Sequence, residues 1–292
     1  MTLLGRRLRA DLVLLLAALL WGSAFVPQSV AARHLGPFLF NGLRFLLGAM
    51  LLLPWVRPLR RPGRTFFFWA TIAGGLLVLA AVCQQAGLKY TTTANAGFLT
   101  TLYVVFVPVV LRVFWRQRMS WRSWAGAILA GVGVFFLSIN DQFQLHDGDA
   151  LELIGAVLWA LHVVVVGRAV AHVEVLLFSV GQYLIAGSLN LVLGFSLEAQ
   201  TLPGLAHCWW AIVYIGVFSV AAGYTLQAVG QRHAPPADAA IVLSMEAVFA
   251  AVFGYLLLNE SLDPRQLWGC ALIFTAIVVV QQNGKRAAAE TG

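Results

Sequence analysis

Two charged side chains stand deep inside runs of apolar sequence. Glu246 lies in "LSMEAVFAAVF" (Leu243–Phe253), and Arg44 lies between Leu43 and Phe45. A lone charge in hydrocarbon is costly, so such residues pair with something or serve a transport path. Glu246 could neutralise the ammonium of a substrate or carry a proton in exchange for one. Two tryptophans, Trp21 and Trp159, also stand near the centres of apolar runs, where an indole N–H needs a partner. On their own helical faces they are followed by Gln28 at i+7 and His162 at i+3. Further midplane polar groups fall in the same kind of run: Gln84, Gln85, Thr101, Tyr103, Gln182, Asn190, Tyr214, Tyr224, Gln227 and Ser244. Each alone would bond across helices, contributing on the order of 0.6 kcal/mol. Their number favours a lined pocket. The expected substrate-binding set is Trp21, Gln28, Gln85, Thr101, Tyr103, Trp159, His162, Tyr224, Gln227, Ser244 and Glu246. The two indoles are expected to face each other across it, with Glu246 as the residue that could couple protons.

Other chemistries lack their residues. There is no HExxH, no GxSxG and no pair of aspartates at depth, and His162 has no adjacent carboxylate. Cys83, Cys208 and Cys270 form no CxxC or Cys/His spacing, so no metal, cofactor or disulfide is expected. Phosphate recognition would call for several basic groups at depth, and only Arg44 is available.

The elements that would position these residues are membrane spans. The chain has 292 residues, 60% hydrophobic and 11% charged, against about 25% charged in soluble domains. A span needs about 20 mostly apolar residues. Ten runs qualify: 10–30, 37–56, 66–88, 94–114, 120–139, 149–170, 174–197, 207–229, 237–258 and 264–282. The run after Arg6, Arg7 and Arg9 is read as a retained first helix, because nine more follow. Pro27 cannot donate to the Ser23 carbonyl, so helix 1 should kink there. Trp55, Trp69, Trp115, Trp121, Trp124, Trp209, Trp210 and Trp268 fall at span ends, as an interfacial belt would.

Alternate loops differ in charge. One side holds Arg6, Arg7, Arg9, Arg57, Arg60, Arg61, Arg64, Arg112, Arg116, Arg118, Arg122, Arg168, Arg232, Lys285 and Arg286; the other holds Arg33, Lys89 and Arg265. That asymmetry puts both termini in the cytoplasm and the acidic segment 141–149 outside.

The sequence also repeats itself. Shifted by 138, Asp11 meets Asp149, Trp21 meets Trp159 and Phe40 meets Phe178; shifted by 142–143, Gln85 meets Gln227 and "ANAGFL" meets "ADAAIV". The expected units are residues 1–140 (helices 1–5) and 141–292 (helices 6–10). Five helices per unit is an odd number, so the second unit is inverted. Inverted repeats are typical of secondary transporters, with substrate bound near the midplane between them.

Here the chain resembles the EamA-type families of the drug/metabolite transporter superfamily. The resemblance rests on "LLWGSAF", "LRFLLGAML", "AGFLTTLYVVFVP" and "MEAVFAAVFGYLLLNESLDPRQLWGCALI", and covers roughly residues 10–282. The family often has Pro after the helix 9 carboxylate, where this chain has Ala247, and Glu where the first repeat has Gln117; Glu260 keeps the pattern. The resemblance implies an exporter or exchanger of small metabolites, amino acids or amphipathic compounds. It also implies that helix 2 lies towards the periphery. If Arg44 and Glu246 meet, they satisfy each other. With helix 2 peripheral, Arg44 is instead expected to bind backbone carbonyls or a helix end as a structural charge, leaving Glu246 to face the cavity alone.

The expected protein is therefore an all-α, ten-helix transporter of small amphipathic organic metabolites such as amino acids. It would work by alternating access around an aromatic cavity, in the bacterial cytoplasmic (inner) membrane. An intramembrane enzyme, or a uniporter or channel without ion coupling, is the alternative.

Overall fold

The computed structural model of the chain describes residues 3–56, 62–91, 93–138, 147–199, 202–258 and 264–290. Arg57, Arg60, Arg61, Glu260 and the expected external residues 141–146 lie outside these. No strand occurs among the described residues. Among the described residues, eight helical segments are long and apolar enough to cross a membrane, and two shorter ones, Trp121–Phe136 and Pro264–Val280, bring the total to ten. Helices are the natural outcome for a chain this apolar, because each span must satisfy its own backbone groups in lipid.

Helix 1 is Leu3–Ala32, helix 2 Pro37–Leu52 and helix 3 Arg64–Gly87. Helix 4 comprises Thr93–Thr101 and Tyr103–Trp115. Helix 5 is Trp121–Ser138, helix 6 Asp149–Ala169 and helix 7 Val175–Leu197. Helix 8 runs as Leu202–Tyr214, a π-helical stretch Ile215–Tyr224, and Thr225–Gln231. Helix 9 comprises Pro236–Leu243 and Met245–Leu258, and helix 10 is Pro264–Glu290. Helices 1, 8 and 10 extend past the apolar runs that mark them, because the backbone ladder continues into polar residues that hydropathy does not see. Helix 1 continues through Pro27 to Ala32.

The packing follows the duplication. Helix 5 lies along helix 10 and helix 2 along helix 7. Helix 3 packs on helix 6 as helix 8 packs on helix 1, and helix 4 meets helix 6 as helix 9 meets helix 1. Each contact has its repeat-related counterpart, as two inverted five-helix units require. Helices 5 and 10 meet through small residues: a side chain at Gly133 would fall 2.8 Å from the Gly269 carbonyl oxygen. Helices 1, 3, 4, 6, 8 and 9 surround the centre. Trp55, Trp121, Trp209, Trp210 and Trp268 are exposed on the outside.

Candidate functional site: a central aromatic cavity with one acid and one base

Helix 1 reaches helix 9 closely enough to bring Glu246 inward. A Cβ at Gly22 would lie 2.6 Å from Phe249 Cβ and 2.7 Å from the Glu246 carbonyl oxygen. Only glycine permits that approach. Helix 9 is interrupted at Ser244, and helix 4 at Leu102, within one residue of the matching place in the other repeat. The Ser244 carbonyl accepts from Ala247 N–H and the Leu102 carbonyl from Val105 N–H, both i to i+3. Each break therefore tightens one turn just before a functional side chain, Glu246 in one repeat and Tyr103 in the other.

Helix 8 uses a different device. Its π-helical stretch ends at Tyr224, and such stretches are frequent at functional sites. Within it the Ser219 carbonyl accepts a hydrogen bond from Trp21 Nε1–H at 3.2 Å. Gly223 leaves room for that indole: a Cβ there would fall 2.6 Å from Trp21 Nε1.

The cavity between these helices is lined by Trp21, Phe25, Gln28, Arg44, Gln84, Thr100, Tyr103, Trp159, His162, Ser219, Tyr224, Gln227 and Glu246, with Ala24 and Val163. The two indoles do not stack on each other. Tyr224 stands between them, its ring 4.8 Å from Trp21 and 5.8 Å from Trp159, the latter nearly parallel at 18°. His162 meets the edges of both Trp159 and Tyr224 and donates from Nε2–H to Gln182 Oε1 at 3.0 Å. Trp159 Nε1 has no hydrogen-bond partner among the described residues.

Glu246 is buried, and Thr101 Oγ1 stands 3.3 Å from its Oε1. Thr101 in turn donates to the Gly97 carbonyl. The Tyr103 phenol lies beside the carboxylate. Thr101 and Tyr103 occupy the same repeat positions in helix 4 that Ser244 and Glu246 occupy in helix 9, so the neutral repeat cradles the acid of the charged one.

Arg44 departs from expectation. Its helix is peripheral, packed along helix 7, yet its side chain is 1% exposed and reaches the same cavity as Glu246. Among the described residues it binds no backbone carbonyl. Nη1 donates to Gln28 Oε1 at 3.0 Å, and the guanidinium lies over the rings of Phe40 and Phe45 at 5.3 and 5.0 Å. A long side chain lets a residue on an outer helix reach inward, which helix position alone does not reveal.

Three expected residues stand behind the wall. Ser244 donates to the Ile241 carbonyl of its own helix at 2.7 Å. Gln85 donates to the Gln28 carbonyl at 3.0 Å, holding helix 3 to helix 1 just after Pro27. Thr101 contacts Glu246 from the second layer. Gln28 and Gln227 line the cavity, and neither Gln227 amide atom has a partner among the described residues.

Sequence reasoning missed Glu152. This acid lies three residues into helix 6 and is 0% exposed. Thr100 Oγ1 donates to its Oε2 at 3.0 Å and accepts from Gln84 Nε2 at 3.1 Å. The chain Gln84–Thr100–Glu152 thus runs from the cavity wall towards the end where Thr91 donates to Asp149. Asp149 and Glu152 are both acidic residues of the first turn, so Glu152 reads as part of an exposed terminus until helix 3 covers it.

An inverted pair of five-helix units closed around a polar and aromatic midplane cavity is the architecture of a membrane transporter. The chain belongs to the EamA-like transporter family, whose model matches residues 8–139 and again 147–281. It is 31% identical to an uncharacterized transporter of Archaeoglobus fulgidus, over 94% of this chain and 86% of that one. It is 27% identical to the threonine/homoserine exporter RhtA of Escherichia coli, over 81% and 79%. A solved crystal structure superposes with a TM-score of 0.79 over 96% of this chain and 98% of that one, at 20% identity, which establishes the shared fold.

Proposed function

We propose that this protein is a secondary active exporter or exchanger of small amphipathic organic metabolites such as amino acids. It works by alternating access, in the cytoplasmic membrane of a bacterium with both termini inside, and is not an enzyme. One observation carries the reading: a cavity between the two repeats combines aromatic walls with a carboxyl group, Glu246, and a guanidinium, Arg44. Aromatic faces take apolar or cationic groups, and each such ring contact contributes on the order of 1 kcal/mol. Glu246 is the coupling residue of this account, exchanging its proton against substrate. The exporter name carried by RhtA, at 27% identity, supports the direction and the substrate class.

The test is counterflow in proteoliposomes over a metabolite panel, with and without a pH gradient. Accumulation of an amphipathic solute that rises with the gradient is expected. Downhill flux that no gradient accelerates would mean a uniporter, and no flux of any solute would refute transport.

A further inference from the structure

The cavity holds an acid and a base that are not paired with each other. No ion pair joins Arg44 to Glu246 among the described residues. Thr101 is the hydrogen-bonding neighbour of Glu246, whereas Arg44 uses one nitrogen on Gln28. Both groups act electrostatically on the phenol of Tyr224, and all three line the cavity.

The free part of Arg44 has a definite shape. Nη1, the nitrogen on the same side as Cδ, is the one that donates to Gln28. Nε and Nη2 are buried and have no hydrogen-bond partner among the described residues. Their N–H bonds run parallel along the other edge of the guanidinium. That edge is the fork that grips a carboxylate with two parallel hydrogen bonds. Leaving such donors buried and unsatisfied is costly unless something occupies them for part of the cycle. The Phe40 and Phe45 rings lie 5.3 and 5.0 Å from the guanidinium carbon and restrict its movement before any ligand arrives.

We propose that Arg44 is the carboxylate-binding group of the cavity and that Glu246 binds the ammonium of the same solute. The substrate class is then a small zwitterion with an apolar remainder against Trp21, Trp159 and Tyr224. This rests on the transporter reading above and narrows it: a simple organic cation would leave the Arg44 fork empty, and a simple organic anion would leave Glu246 without its counter-charge.

The test measures binding to purified protein in detergent by thermal stabilisation. The probes are L-leucine and L-phenylalanine, the amines that lack their carboxylates (isoamylamine and phenethylamine), and the acids that lack their amines (4-methylpentanoate and 3-phenylpropanoate). The parent protein should bind an amino acid at least tenfold more tightly than its amine or its acid. Arg44→Gln should lower amino acid affinity at least tenfold and leave the amine within twofold. Arg44→Lys, which keeps the charge without the fork, should fall between. Glu246→Gln should show the converse, lowering amino acid affinity at least tenfold and leaving the acid within twofold. Equal binding of amine and amino acid by the parent would overturn the assignment. So would an equal loss for all probes in Arg44→Gln, or binding of no probe at all. If neither Arg44 variant folds, the parent comparison alone decides. Counterflow of some other solute in the same preparation would leave the transporter reading standing while the zwitterion site fell.

Discussion

Arg7 of helix 1 donates to Asp238 of helix 9 at 2.6 Å, and its Nε lies 3.4 Å from Asp11 one turn along helix 1. At the repeat-related ends, Thr91 before helix 4 donates to Asp149 of helix 6. Asp11 and Asp149 are the residues that the 138-residue shift superposes. Polar contacts thus join helix 1 to helix 9 at one end of the molecule, and helix 6 to the start of helix 4 at the other.

If these contacts are gates, loosening one should bias the protein towards one opening. A partly buried ion pair contributes about 1 kcal/mol, which is roughly a fivefold change in a two-state population. Asp238→Asn should therefore raise, by about fivefold, the labelling rate of a cysteine at Ala24 from the Arg7 face, in a background lacking the native cysteines. Labelling that rises equally from both faces would indicate general loosening instead.

Tyr224 separates Trp21 from Trp159, so its ring should matter more than its hydroxyl. Tyr224→Phe should keep transport within about twofold, while Tyr224→Ala, Trp21→Ala and Trp159→Ala should each lower it by roughly three- to tenfold, from about 0.5–1.5 kcal/mol per aromatic contact. Initial rates of counterflow at subsaturating substrate are the measurement. Parent rates in both tryptophan variants would reduce the pair to packing.

Glu152 depends on Thr100 for the hydrogen bond that satisfies one of its oxygens. Thr100→Val keeps the side-chain shape and removes the donor, so it should destabilise the protein by about 1–3 kcal/mol through the orphaned carboxyl group. Thr100→Ser should restore most of that. Melting temperatures in detergent decide it; a melt unchanged by Thr100→Val would show that Glu152 needs no partner there.

Charge asymmetry makes a topological prediction as well. A cysteine at Gln117 should be labelled only from the cytoplasm and one at Asp147 only from outside. Labelling of Asp147 from the cytoplasm in intact cells would reverse the orientation proposed here.

What could be read in the sequence follows from what lipid demands. Ten spans were legible because each must be long, apolar and internally hydrogen-bonded, and the duplication was legible because Trp21 and Trp159, or Asp11 and Asp149, keep their order. Central aromatics also announced the cavity. Side-chain direction was not legible. Ser244 satisfies its hydroxyl on its own helix, an outlet open to any serine at that depth. Arg44 reaches the cavity from an outer helix because its length exceeds the distance that helix position suggests. The π-helical stretch before Tyr224 has no sequence signature in "IGVFSVAAGY", so the carbonyl that receives Trp21 could not be foreseen. Glu152 was hidden by its closeness to Asp149, which made a buried acid look like a helix terminus.

In the mechanism proposed above, Glu246 couples transport of a solute to a proton across this cavity. Glu246→Gln keeps the shape and the contact to Thr101 but cannot ionise. In proteoliposomes carrying the substrate found by counterflow, at a saturating concentration that offsets the weaker binding of the variant, it should still exchange substrate for substrate and lose accumulation driven by a pH gradient. Gradient-driven accumulation equal to that of the parent would contradict the account.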